Sequence, residues 1–113
     1  MTLTTHRISA DVSTSAQLQP ADMEAVAAAG FRSVVNNRPD HEGGAEQPTS
    51  AMIEAEAKAA GLAYGHLPVQ PAVQTPEEAT ALAKLLVSLP KPVLMFCRSG
   101  ARSAKLYGAS QAL

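Results

Sequence analysis

Three features of this chain predict a single-domain α/β fold, three layers deep, around a mainly parallel central sheet. Strand-like and helix-like segments alternate along it, the order that builds parallel sheets through crossover helices. The segment VLMF, 93–96, is short and wholly apolar, as in a strand buried on both faces. The length, 113 residues, suits one domain spanning 1–113 with one modest core. Apolar residues make up 46 % and charged residues 17 %, a globular balance. Aromatics are only 4 % and Trp is absent, so the core is built from aliphatic side chains and Met.

Each element has its own signal. Residues 6–19 read as a hairpin or extended lead-in, with turn formers from Asp11 to Ser15. PADMEAVAAA, 20–29, reads as a helix: Pro20 opens it, Asp22 and Glu24 suit its positive end, and Gly30 stops it. Met23, Val26 and Ala27 share one face. FRSVVNN, 31–37, is a strand, and the Pro-, Gly- and charge-rich 38–48 is a loop. Thr49 or Ser50 caps a second helix that runs to Ala60, with Gly61 beyond it. LAYGHLPV, 62–69, is a strand, and 70–74 a connection. Thr75, Pro76 and Glu78 form a capping box with proline at the first helical position, and Leu82, Leu85 and Leu86 continue an apolar stripe to Leu89. A last helix, 103–112, follows the loop after VLMF. Met23, Met52 and Met95 read as core filler.

Composition excludes several classes. The net charge of −1 offers no field for nucleic acid or an acidic membrane surface. No apolar run reaches the ~20 residues that cross a bilayer. The start, MTLTTHRISADVS, lacks the apolar stretch of a secretory leader, which leaves the cytoplasm as the expected location. The single cysteine cannot form an internal disulfide or a cysteine-rich zinc site. His6, His41 and His66 share no ligand spacing, so no metal site is expected.

The chemistry concentrates in Cys97-Arg98-Ser99-Gly100-Ala101-Arg102-Ser103. A buried strand delivers Cys97 to the carboxyl edge of the sheet, where α/β sites form. Gly100 allows the chain to curl back and lets backbone approach a ligand. The curl aims successive N–H groups at one point, an anion nest, and the following helix adds its positive end. The same features lower a thiol's pKa, so Cys97 is expected as an activated thiolate. Arg102 can bind an oxyanion with two parallel hydrogen bonds. Ser103 can donate to the sulfur or cap the helix. A small core filler explains Cys97 alone, but not Arg98, Gly100 and Arg102 immediately after it.

In spacing, this loop resembles the active-site loop of rhodanese-type sulfurtransferases, where four residues separate Cys from Arg. Tyrosine and dual-specificity phosphatases have five, usually with His before the Cys, where this chain has Phe96. The stretch AQLQPADMEAVAAAGFRSVVNNRPDHE, in contrast, resembles the N-terminal half of compact dual-specificity phosphatases. It is still more similar to a bacterial family of small phosphatase-fold domains called beta-lactamase-hydrolase-like, often fused to sulfur dioxygenase domains. That resemblance covers Ile8 to Leu113 and implies a protein tyrosine phosphatase-like scaffold of the cysteine phosphatase superfamily.

Two activities compete. In sulfur transfer, expected first on loop length, Cys97 becomes a persulfide, with loop N–H groups and Arg102 holding the charge and Arg98 attracting a small anionic sulfur donor. An acceptor thiol, and through the fused relatives a sulfur dioxygenase, would be its partners. In phosphate hydrolysis, Cys97 attacks a phosphorylated substrate and forms a cysteinyl-phosphate. That route normally needs a general acid, yet 65–74 holds no Asp or Glu. His66 or Asp40, with Glu42 beside it, are the candidates, and Arg38 with Asp40 lies at the same sheet edge. Packing explains His66, and turn chemistry around Pro39 explains Arg38 and Asp40, equally well. Neither activity requires a metal or organic cofactor. A third reading is a non-catalytic anion-binding or oxidation-sensing loop.

Overall fold

Five strands form one sheet in a computed structural model that describes residues 3–113. Met1 and Thr2, the start of the segment read as lacking a leader, lie outside the described residues. The elements are β1 (His6–Arg7), β2 (Val12–Ser15), α1 (Met23–Ala28), β3 (Ser33–Asn36), α2 (Ser50–Ala59), β4 (Ala63–His66), α3 (Pro76–Ser88), β5 (Val93–Phe96) and α4 (Ala101–Gln111). The order across the sheet is β1-β2-β5-β3-β4, with β1 antiparallel and the other four parallel. The predicted fold class therefore holds. The 6–19 hairpin is real, but its second strand also pairs with β5, Ser15 opposite Phe96, and so carries the chain into the parallel sheet.

Alternation within the strands divides the core into two layers. Leu94 and Phe96 of β5 join Val34, Val26 of α1 and Ile53 of α2 on one face. Val93 and Met95 join Val35, Leu82 of α3 and Leu106 of α4 on the other. The three-layer expectation follows from this sorting. Among the methionines, Met23 and Met95 are fully buried, whereas Met52 is 54 % exposed, which corrects its reading as core filler. Ile53 and Ala57 supply the buried face of α2, and Met52 falls outside that stripe.

Local signals set the helix ends. The Thr75 hydroxyl accepts the Glu78 N–H at 3.2 Å, and the Glu78 carboxylate accepts the Thr75 N–H at 2.8 Å, completing the predicted box. Thr49, not Ser50, caps α2. Pro20–Asp22 is a 3-10 turn, so α1 begins at Met23. Helix α4 starts at Ala101, two residues before the predicted 103, because Gly100 takes φ 97° and turns the chain directly into the helix. No helix among the described residues is long and apolar enough to cross a membrane.

Topology locates the site. From β3 the chain leaves to α2 on one face, and from neighbouring β5 it leaves to α4 on the other. Their carboxyl ends thus flank a crevice where the exit loops part, the usual ligand position in open α/β sheets.

Candidate active site

Cys97 follows β5 directly, on that crevice. It is 1 % exposed, deeper than the rim position its place in the sequence predicts. Its sulfur accepts the Gly100 N–H at 3.1 Å, as a curled loop requires. Burial alone would push the thiol up. The Ser103 N–H and hydroxyl, and the Gly100 and Ser99 N–H groups, outweigh burial and hold it below its ordinary value. The backbone N–H groups of the loop are thus directed at the sulfur. Gly100 is required twice there, by its φ and because a Cβ would stand 3.2 Å from the Ser15 carbonyl oxygen at the end of β2. Gln17 N–H donates to the Arg98 carbonyl at 3.2 Å and fastens the loop to the same strand end.

Ser103 is fully buried, and its hydroxyl donates to Asn37 Oδ1 at 2.8 Å. The Asn37 amide is fixed in that orientation because its Nδ2 donates to the Leu67 carbonyl at 3.0 Å. A hydroxyl has one proton, so Ser103 serves either Asn37 or the sulfur. With Cys97 as a thiol, the chain of bonds ends on Asn37. With Cys97 ionised, the proton turns to sulfur and leaves Asn37 Oδ1 bare. The backbone donors are thus the constant part of the thiolate's support, and Asn37 opposes the variable part. Asn37→Ala should lower the pH midpoint of Cys97 alkylation by iodoacetamide, and Ser103→Ala should raise it. The double variant should match Ser103→Ala, since Asn37 then has no proton to compete for. Equal effects of Asn37→Ala in both backgrounds would exclude this competition.

Arg102 reaches back from the first turn of α4, its side chain only 8 % exposed. Its Nη1 and Nη2 donate to the two carboxylate oxygens of Glu42, both at 3.1 Å, and Nη1 also donates to the Val69 carbonyl at 3.2 Å. Glu42 also accepts from Arg38 Nε at 2.8 Å. Burial raises the Glu42 carboxyl, but hydrogen bonds and charge from Arg102 and Arg38 prevail and hold it below the usual carboxylate value. The end-on edge of the Arg102 guanidinium is thereby taken. Its side-on edge remains, and Nε is buried without a partner. An oxyanion that reached this edge would be held by two parallel hydrogen bonds. Gln74 donates from Nε2 to the Arg102 carbonyl at 3.0 Å, while its buried Oε1 lacks a donor.

The other predicted residues are placed differently. Asp40 accepts the Ser50 N–H at 2.8 Å at the entry to α2, a structural bond. His66 Nε2 bonds the Arg38 carbonyl at 3.0 Å, at the outer end of β4. Neither is brought onto the loop. Arg38 is nearly buried and reaches Glu42 and Gln17 Oε1, the latter at 3.1 Å. Arg98 and Ser99 are exposed on the outer side of the loop, and the Ser99 hydroxyl accepts the Ala101 N–H at 3.4 Å. Tyr64 bonds Ser50 and Asn36 among the packing of α2, and burial raises its pKa. Asn37, the clamping role of Glu42, and Gln74 escaped the sequence reading. Asn37 carries a sequence signal, since it directly follows β3 at the edge where the site forms, but Glu42 and Gln74 sit in loops without a pattern.

Comparisons with known proteins bear on the fold and the family. Residues 5–113 match the family model described as beta-lactamase hydrolase-like protein, phosphatase-like domain. A beta-lactamase hydrolase-like protein of Agrobacterium fabrum is 33 % identical over 107 residues, which is 95 % of this chain and 25 % of that protein. The chain thus spans about a quarter of that relative's length. A crystal structure of a candidate phosphatase from Neisseria meningitidis superposes with a TM-score of 0.84 at 31 % identity, covering 91 % of this chain and 72 % of the other. TpbA of Pseudomonas aeruginosa, solved in complex with phosphotyrosine, shares the fold with a TM-score of 0.61 at 18 % identity over 85 % of this chain and 54 % of its own. The scaffold is phosphatase-like throughout, and the chain belongs to the phosphatase-like domain family of the beta-lactamase hydrolase-like proteins.

Proposed function

We propose that this chain acts as one cysteine-dependent phosphatase domain, hydrolysing a phosphorylated substrate through a cysteinyl-phosphate. The carrying observation is the Cys97 sulfur under the Gly100 N–H at 3.1 Å, in a loop whose arginine keeps a free fork. The family match and the phosphatase-like neighbours support hydrolysis over the sulfur transfer that loop length suggests, so the order of the two expectations reverses.

The steps use this chain's own groups. The Cys97 thiolate attacks phosphorus, and the P–S bond forms as the P–O bond to the leaving group breaks. Loop N–H groups and the Arg102 side-on edge hold the phosphoryl oxygens, where charge is spread in the transition state. Water then attacks phosphorus and the sulfur leaves as thiolate. Protonation of the leaving oxygen is the weak step. Asp40 and His66 are bonded to backbone, and Glu42 is held ionised between two arginines. Leaving groups that depart as stable anions are therefore favoured.

Sulfur transfer is kept as a second reading on one observation, the four residues between Cys97 and Arg102, which make a cradle smaller than a five-residue loop. Parallel assays separate the two. p-Nitrophenyl phosphate should be turned over, while thiosulfate with cyanide should release no thiocyanate above a Cys97→Ser blank. Thiocyanate release without phosphate release would overturn the phosphatase reading.

A further inference from the structure

Resting on the phosphatase reading, we propose that the cationic hollow beside the loop is a second anion subsite and that the substrate is a phosphoanhydride, whose inner phosphate lies there as the leaving group. The hollow, about 310 Å³, is walled by Pro71 and by Arg98, Ser99, Ala101, Arg102 and Lys105. A water takes roughly 30 Å³ of liquid, so a phosphate group fits.

Charge in and around the hollow is one-sided. All ten acidic residues of the chain precede Ala79, and Lys84, Lys91, Arg98, Arg102 and Lys105 follow it. Arg98 and Lys105 are exposed, and neither is ion-paired among the described residues. No acid lines the hollow. Of the carboxylates on adjoining elements, Glu42 pairs with Arg102 and Arg38 and so offsets the Arg102 charge, which leaves Arg98 and Lys105 as the uncompensated cations, and Glu78 accepts the Thr75 N–H at 2.8 Å. The 70–74 connection has none, and Glu77 is exposed on the first turn of α3.

Arg102 joins the hollow to the phosphoryl site. Arg102, nine-tenths buried, lines the hollow and keeps a buried Nε–H with no acceptor. The oxyanion on that fork is the transferred phosphoryl group, and a second one meets Arg98 and Lys105.

The missing acid selects the leaving group. In a phosphoanhydride, Cys97 sulfur bonds the terminal phosphorus and the bridging P–O bond breaks, its electron pair leaving on the inner phosphate oxygen. A phosphate's second ionisation lies at about pH 6, so an inner phosphate that already carries an organic group or one proton departs as a stable dianion and takes no proton from the protein. Arg98 and Lys105 meet the charge as it develops. Water next attacks phosphorus, and the P–S pair returns to sulfur. One water hydrogen stays on the released orthophosphate and the other passes to solvent.

The test measures orthophosphate from pyrophosphate, p-nitrophenyl phosphate and glycerol phosphate, in buffer with a chelator and against a Cys97→Ser blank. Pyrophosphate should exceed glycerol phosphate in kcat/KM at least 100-fold. Lys105→Gln, an exposed change, should cut the ratio of pyrophosphate to p-nitrophenyl phosphate kcat/KM about tenfold, whereas Lys84→Gln on α3 should leave that ratio unaltered. Cleavage of p-nitrophenyl phosphate with none of pyrophosphate would overturn this substrate class and spare the phosphatase reading. An unchanged ratio in Lys105→Gln would overturn the subsite. Silence on all three substrates would overturn the phosphatase reading itself.

Discussion

Cys97→Ser should reduce aryl phosphate hydrolysis on the order of 10⁵-fold or more, to the level of the buffer, while the chain stays folded. The side chain keeps its place, and the loop donors still converge on it. What changes is ionisation. The N–H groups of Ser99, Gly100 and Ser103 hold a thiol below its ordinary value against burial, but a serine hydroxyl starts far too high for the same donors to ionise it at neutral pH. The variant should therefore still bind orthophosphate yet form no covalent intermediate. Stability gives an independent check. Because the folded thiol pKa is lowered, its contribution is fully present above the unfolded value, about 8.5, and is lost as pH falls through the folded value. Wild type should gain stability relative to Cys97→Ser as pH rises through that window, read by urea unfolding at each pH. Parallel curves would mean that the thiolate is not stabilised by the fold.

The sheet was readable in the sequence because its signals are local. VLMF is a short apolar run of the kind found in buried strands, and Thr75-Pro76-Glu77-Glu78 is a strong helix start, so β5 and α3 fall where expected. Gly100 marked the turn but not its sharpness, and φ 97° there brings α4 two residues forward. The cysteine loop was legible for the same reason as the strands, since its chemistry lies within a few consecutive residues. Glu42 and Asn37 were not, because their partners lie far along the chain. Arg102 is 60 residues from Glu42 and Ser103 is 66 from Asn37. Only the β3–β5 pairing places those carboxyl ends side by side. Asp40, Glu42 and His66 are acid candidates by position alone, and the bonds that occupy them, to the Ser50 N–H, to Arg38 and Arg102, and to the Arg38 carbonyl, cannot be inferred from residue type. Loop length points to sulfur transfer, whereas the scaffold that bears the loop is phosphatase-like.

Arg102→Lys should lower kcat/KM toward p-nitrophenyl phosphate by about 10²–10³-fold, the range seen when one oxyanion donor is removed. The ammonium keeps the charge but has no two parallel donors, and Arg102 uses both of its edges. Glu42 holds the end-on edge, Val69 takes one more hydrogen, and the side-on edge is left for substrate. A lysine drawn to Glu42 would turn away from the phosphoryl group, and one drawn to the phosphoryl group would leave Glu42 facing Arg38 alone. Glu42→Gln tests the same clamp from the other side. It keeps shape but leaves two nearly buried guanidinium groups, Arg38 and Arg102, without a counter-charge, which should cost about 2 kcal/mol of stability, below the 3–5 of a fully buried pair because Glu42 is partly exposed. Activity should fall about tenfold to a hundredfold as Arg102 loses its orientation. The pH dependence has a definite sign. Glu42 is lowered in the folded chain, so its contribution is complete above the unfolded carboxyl value, about 4.3, and declines as pH falls through the folded value. Glu42→Gln should flatten that acid limb of the stability curve and leave the thiol limb of Cys97 in place. Loss of activity with an unchanged acid limb would mean that Glu42 is not the group that holds Arg102 in register.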